Sequence, residues 1–410
     1  MFKNYLKIAY KVLLRRKFFT FISLFGISFS LTILIVANSF FDQIFGSHYP
    51  ETDLDRTLSI INVVQKGKDN SRNGPISYYF LDKYMKSLTT PEKTSIVSSH
   101  TQNVVYTKDK RISLDLKFAD SEFWEIMNFK FIEGKSFIQD DVKNKNYVAV
   151  INKEIQKKYF NGESAVGKFI EINGKNYRVL GVVENVSFLK FVAYADVWVP
   201  ISTFDGDLNA FTFDGLFLGT ILAKDKSDFP IIRSEFQNKI KNIEFPTDKF
   251  DTIYANPESY FEAVYRTFVD TDEEISITPV FFLLITLITL FLLMPTVNLV
   301  NINISRILER SSEIGVRKAC GATSWNLINQ FLVENLILTL LGGVLGLIFA
   351  AIILERVNAM GFVLYSQFEI NFRVFLFGLA VTIFFGLFSG IYPAYKMSKL
   401  NPVDALKGGN

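Results

Sequence analysis

Residues 18–41 read FFTFISLFGISFSLTILIVANSFF, 24 positions without a charged side chain. An α-helix rises about 1.5 Å per residue and a bilayer core is about 30 Å thick, so roughly 20 apolar residues cross it. This run is long enough, and three others match it: 275–305, 335–354 and 374–395. The stretch between the first and second runs is charged, alternates polar with apolar residues, and contains no comparable run. These features predict an α-helical membrane protein with four transmembrane helices. A large α+β extracytoplasmic domain is inserted between helices one and two.

A competing reading makes residues 1–39 a cleaved leader with Ala37-Asn38-Ser39 at the cleavage site. The apolar run exceeds the roughly 7–15 residues of a leader's apolar segment, so an uncleaved span is expected. Composition agrees with a membrane class. Hydrophobic residues make up 49% of the 410, with 42 phenylalanines, and mean hydropathy is +0.22. The net charge is only +3. Basic residues gather at the ends of the apolar runs, which points to lipid contact and away from nucleic acid.

Lysine and arginine placement predicts orientation. Lys3, Lys7, Lys11, Arg15, Arg16 and Lys17 precede the first run, Arg306, Arg310, Arg317 and Lys318 lie between the second and third, and Lys396, Lys399 and Lys407 follow the last. Only Arg356 and Arg373 flank the connection between the third and fourth. Both termini are therefore expected in the cytoplasm of a bacterial inner membrane, with the large domain periplasmic. The predicted order is a cytoplasmic amphipathic helix at 1–17, a span at 18–46, the outer domain at 47–274, and a span at 275–305. A cytoplasmic loop at 306–326, a span at 327–354, a short outer loop at 355–373, a span at 374–395 and a cytoplasmic tail at 396–410 complete it. The four-residue recurrence of Lys3, Lys7, Lys11 and Arg15 suits a helix lying in the headgroup plane.

Within the outer domain, 56–64, 111–119, 146–152 and 175–183 alternate and are β-branched, predicting strands. Helices are expected at 75–88, 152–160 and 227–243, with Pro230 in the first turn of the last. Without a regular βαβ repeat the class is α+β, and two subdomains are expected. The stretch GESAVGKF (162–169) matches G-x-x-x-x-G-K of a phosphate loop, but Phe169 stands where a Mg²⁺-holding Ser or Thr belongs. A phosphate loop follows a strand and opens a helix. Here a helix precedes, and a hairpin turning at Asn173-Gly174 follows, so no nucleotide site is expected.

The segment ISRILERSSEIGVRKACGATSWNLINQFLVEN (304–335) closely resembles the FtsX-like permease domain of ABC transporters. The matching positions are Glu309, Arg310, Glu313, Ile314, Gly315, Arg317, Ala319, Gly321 and Ala322, followed by Gln330, Phe331, Leu332 and Glu334. The ending GIYPAYKMSKLNPVDALKGG is similar through Gly390, Pro393, Ala394, Pro402, Ala405 and Leu406. FADSEFWEIMNFKFIEGKSF and the segment around GESAVGKF resemble the periplasmic core domain of MacB-type permeases. The resemblance implies a permease subunit that works as a dimer with a second copy or a sister permease. It would be driven by a cytoplasmic ABC ATPase subunit that carries ATP and Mg²⁺. In MacB-type proteins that ATPase precedes the first span on the same chain. This sequence begins at the amphipathic helix, so a separate ATPase is expected.

The residues alone give the loop a role. SSEIGVRK (311–318) can form two helical turns, with Ile314 and Val316 apolar and Glu313, Arg317 and Lys318 charged, before Gly321 permits a stop. Such a helix can press into a groove on a partner, and the candidate coupling residues are Glu309, Arg310, Glu313, Ile314, Gly315, Arg317 and Lys318. Glu334 is an intramembrane carboxylate and so a functional candidate. Gly342 and Gly346 form a small-xxx-small step that lets helices approach closely, either within the chain or between copies. No nucleophile, acid–base pair or common metal set is recognisable: Cys320 is the only cysteine and His48 and His100 the only histidines. The chain itself is expected to bind no cofactor and to be no enzyme. The function expected is transmission of ATP-driven motion to the outer domain, to export or release a substrate. A periplasmic adaptor and an outer-membrane channel are further candidate partners. A signal relay to a periplasmic hydrolase or sensor, and lipoprotein release, are the alternatives.

Overall fold

The computed structural model describes residues 17–107, 110–268 and 323–398, with positions 11, 13–15, 279, 282–283, 285–287, 289–290, 316 and 321. The chain divides into two compact units. One comprises Met1–Asp42, Ser276–Phe362 and Phe368–Asn410, and the other Gln43–Ile275 with Val363–Gln367.

Helix α1, Lys17–Phe45, carries the first apolar run. The second unit then opens with β1 (Thr57–Ile60), β2 (Asn62–Lys66) and β3 (Ser71–Pro75). The single strand expected at 56–64 is two, interrupted at Ile61, because its halves join different sheets. β1 pairs with β12 (Phe217–Leu222), while β2 forms a hairpin with β3. That hairpin claims Ser71–Pro75, so the helix expected from 75 begins only at Tyr78, where the Ser77 hydroxyl accepts from Phe80 N. This helix, α2, runs from Tyr78–Phe80 into a π turn at Leu81–Met85.

There follow β4 (Lys93–Ser98), β5 (Thr101–Tyr106), β6 (Arg111–Ala119), α3 (Phe123–Ile126), β7 (Phe131–Gly134), α4 (Gln139–Lys143), β8 (Val148–Asn152) and α5 (Lys153–Tyr159). Then come β9 (Phe169–Ile172), β10 (Lys175–Val183), β11 (Val197–Pro200), β12, α6 (Phe229–Ile240), β13 (Thr252–Tyr254), β14 (Glu258–Ser259) and α7 (Tyr260–Phe268). Among the described residues one 11-stranded mixed sheet runs β14-β1-β12-β4-β6-β11-β8-β10-β7, with β5 on β6 and β9 on β10. A three-stranded sheet, β13-β2-β3, accompanies it. The expected α+β class is what forms.

Both faces of the large sheet are covered, and strand alternation sorts the core in two. Ile96, Ala149, Ile151, Val197, Val199, Phe217 and Ile221 belong to one apolar cluster with Phe80, Met85, Ile232 and Phe236 of α2 and α6. Their neighbours Val97, Val148, Val150, Trp198, Leu218 and Leu222 belong to another with Phe123, Tyr194 and Tyr260. Every residue of β8, β11 and β12 is buried for this reason.

In the first unit, helix α8 spans Ser324–Met360. Thr323 caps it by accepting from Asn326 N, and Gly361 ends it in the left-handed region at φ 59°. The helix passes six residues beyond the expected end at 354, because Glu355 to Met360 contain no breaker. Helix α9 is Phe372–Ser398. Among the described residues, Lys17–Phe45 and Ile328–Met360 are long and apolar enough to cross a membrane. The second predicted span, 275–305, lies almost wholly outside the described residues.

Candidate functional site

The seven candidate coupling residues, Glu309, Arg310, Glu313, Ile314, Gly315, Arg317 and Lys318, lie outside the described residues. Glu334, Gly342 and Gly346 are all on α8. Glu334 is fully buried and its Oε1 accepts from Gln330 Nε2 at 2.8 Å, one turn earlier. The glycines face α1. A Cβ at Gly342 would stand 2.6 Å from Ile27 Cγ2, and one at Gly346 3.0 Å from both Leu31 Cβ and the Ser28 carbonyl. The Thr32 hydroxyl donates to Ser28 O at 2.7 Å, within hydrogen-bond distance of Gly346 O at 3.1 Å. The small-xxx-small step thus meets α1 of the same chain.

GESAVGKF lies between α5 and the β9–β10 hairpin. Gly162 and Gly167 take positive φ of 79° and 83°, and Lys168 Nζ pairs with Glu163 Oε2 at 2.7 Å inside the stretch itself. Asn173 and Gly174 turn the hairpin at φ 51° and 73°, the mirror-image turn that matches strand twist. The lysine of the apparent motif answers a carboxylate, and no helix N-terminus follows it.

A group of buried charges among the described residues was not singled out in the sequence. It surrounds Glu184–Asp196, the loop between β10 and β11. Lys117 of β6 is fully buried, and its Nζ donates to the Phe191 and Val192 carbonyls at 2.9 and 2.6 Å. Lys190, also fully buried, donates to Gly46 O at 2.6 Å and stands 4.0 Å from Glu51 Oε2. Glu51 Oε1 accepts from Ala193 N at 3.1 Å. Asp196 accepts from Asn152 Nδ2 at 2.7 Å, Asp115 N at 2.9 Å and Tyr365 OH at 3.0 Å. Tyr194 OH donates to Asp115 Oδ2 at 2.6 Å.

Burial dominates the electrostatics here. It pushes Lys117 down to about 7, against the favourable charges of Glu51 and Asp115. It holds Glu51 above the ordinary carboxylate range despite Lys190 and the Ala193 amide. Asp196 is likewise raised by burial, partly offset by its donors. A desolvated ion pair of this kind adds little net stability while intact, and losing one partner strands the other. What such an arrangement does well is hold chain segments in one position.

Sequence reasoning missed Lys117 for a definite reason. In RISLDLKFA, alternation assigns Ile112, Leu114 and Leu116 to the core and Ser113, Asp115 and Lys117 to water. That inference assumes one wet face, whereas β6 lies between β4 and β11 with both faces covered.

Comparison with known proteins returns two family matches in chain order. The MacB-like periplasmic core domain matches residues 20–239, and the FtsX-like permease C-terminal region matches 280–402. The chain is 25% identical over 292 residues to a protein named uncharacterized ABC transporter permease YknZ of Bacillus subtilis, covering 70% of this chain and 68% of that protein. It is 26% identical over 409 residues to the macrolide export ATP-binding/permease protein MacB of Wolinella succinogenes, covering 98% of this chain. It spans 60% of that relative's length, and 39% of the MacB of Burkholderia lata, to which it is 29% identical over 300 residues. The solved periplasmic region of MacB from Actinobacillus actinomycetemcomitans aligns over 53% of this chain and 94% of its own, at 16% identity and a TM-score of 0.38.

Proposed function

The chain belongs to the MacB/FtsX-like permease family, and from that premise we propose that it is an ABC transporter permease subunit that passes ATP-driven motion to its outer domain. The observation that carries the reading is the order of the two family matches along one chain, with an α+β domain following the first apolar helix and an apolar permease region closing the sequence. Positive residues at the chain ends and in the 306–326 loop favour cytoplasmic termini and a periplasmic domain in a bacterial inner membrane. Two permease chains would assemble with an ABC ATPase, which would supply ATP and Mg²⁺ binding. Closure of the ATPase pair would push the loop containing Glu309, Arg310, Glu313, Ile314, Gly315, Arg317 and Lys318, and the helices would carry that push outward.

Transport by outer-domain motion suits the chain better than passage through a wide polar pore. Between Gln330 and Leu354, α8 is apolar but for the buried Gln330, Glu334, Asn335 and Thr339. Relatives named for macrolide export favour export of a small molecule over a signal relay.

The test is co-purification of the chain with its ATPase and measurement of ATP hydrolysis with wild-type protein and with Glu313→Ala/Arg317→Ala. The expected result is retained expression with hydrolysis stimulated less, by about tenfold, the effect of losing one or two charge-assisted contacts. Equal stimulation and equal assembly would remove this loop from the mechanism.

A further inference from the structure

Three stretches of the second unit lead covalently to apolar segments. Residues 43–51 continue from α1, residues 258–268 precede the second predicted span, and Val363–Gln367 lie between α8 and α9. All three contact the same loop, Glu184–Asp196.

The first is held at its helix end. Lys190 Nζ lies 3.4 Å from Ile44 O and 2.6 Å from Gly46 O, so a buried cation faces carbonyls that the end of α1 leaves without helical partners. Glu51 accepts from Ala193 N, and Tyr49 OH donates to Glu184 O at 3.1 Å. The second is held through Tyr260, whose hydroxyl donates to Leu189 O at 2.8 Å. α7 is itself anchored by Arg266, which donates to Glu258 Oε1 at 2.6 Å and to Tyr254 OH at 2.8 Å. The third is held by three bonds: Phe188 N to Leu364 O at 3.0 Å, Ser187 with Ser366, and Tyr365 OH to Asp196.

The backbone at Tyr365 adds an independent observation. Its φ is 56°, a left-handed conformation that is unusual for a bulky side chain. Such a conformation persists only where the surroundings over-determine it. The bonds from Ser366 and Tyr365 to Ser187 and Asp196 are those surroundings.

We infer that Glu184–Asp196 is the grip through which the domain holds all three connections, with Lys190, Ser187 and Asp196 as its positioning residues. This rests on the coupled-permease reading above. Movement of the membrane helices reaches the domain at the 43–51, 258–268 and 363–367 segments. The loop joins those inputs directly to β10 and β11, the two strands that flank β8 in the large sheet, so the sheet moves with them as one body. The grip stays closed throughout the cycle, as rigid linkage requires.

The experiment uses the full chain in nanodiscs with its ATPase, comparing hydrogen exchange with ATP plus vanadate against no nucleotide. In wild-type protein, amides of β8, β10 and β11 change protection with nucleotide. In Tyr365→Phe/Ser366→Ala the thermal midpoint falls by only a few degrees while that response falls about tenfold, the effect of two lost hydrogen bonds. An undiminished response in this variant overturns the grip and leaves the permease reading standing. No nucleotide response in wild-type protein overturns both. Should the double variant melt early, Ser187→Cys/Ser366→Cys in a Cys320→Ser background decides. Oxidised, it keeps the wild-type response if the grip stays closed, and loss of the response overturns the inference.

Discussion

Lys117 is a cation removed from water, and its titration offers a direct reading of the buried network. In the folded chain burial brings it down to about 7, whereas an exposed lysine titrates at 10.5. Between those values the unfolded chain holds a proton that the folded chain lacks. Unfolding then takes up a proton, so raising the pH disfavours unfolding and Lys117 contributes increasing stability from pH 7 upward. Thermal unfolding of wild-type protein and Lys117→Met between pH 7 and 9 should show the wild type gaining on the variant as pH rises. A constant difference across that range would mean that Lys117 titrates normally. His100 works in the same direction at lower pH. Burial among Phe188, Phe191 and Tyr194, with Lys117 nearby, lowers its pKa against the pull of Asp115 and Asp196.

At the scale of elements, α1 and α8 are matched by what α8 lacks. Gly346 leaves room for Leu31 and the Ser28 carbonyl, and Gly342 for Ile27. Leucine at 346 must force the helices apart or shift Leu31, an overpacking cost of about 1–3 kcal/mol. The Gly346→Leu chain should therefore melt several degrees below wild type in detergent. Gly74→Ala, where an added Cβ meets nothing within 4 Å, should not. Equal melting of the two variants would show that the α1–α8 contact bears no load. Local elements with chemical punctuation were legible from the sequence: α5, the β9–β10 hairpin with its Asn173-Gly174 turn, and α6 with Pro230 in its first turn. The β2–β3 hairpin was not, because Ser71–Pro75 is strand only through its pairing with β2. Its residues, SRNGP, have little strand propensity of their own.

For the whole molecule, the proposed topology puts the chain ends and the large domain on opposite sides of the membrane. Single cysteines introduced as Lys68→Cys and Lys407→Cys, each in a Cys320→Ser background, should react with an impermeant maleimide from opposite sides. Labelling of both from one side would remove the four-span arrangement. Periodicity, length and punctuation are properties of neighbouring residues. They sufficed for the apolar helices at Lys17–Phe45 and Ile328–Met360 and for the α+β character of the inserted domain. Burial of Lys117 was decided only when β6 became an interior strand covered on both faces, and that of Lys190 and Glu51 when the Glu184–Asp196 loop met residues 43–51. Tertiary structure alone also brought Tyr365 to Asp196, 169 positions away in the chain. No local pattern encodes such a meeting, because the partners that make a buried charge tolerable come from segments whose adjacency is created by the fold.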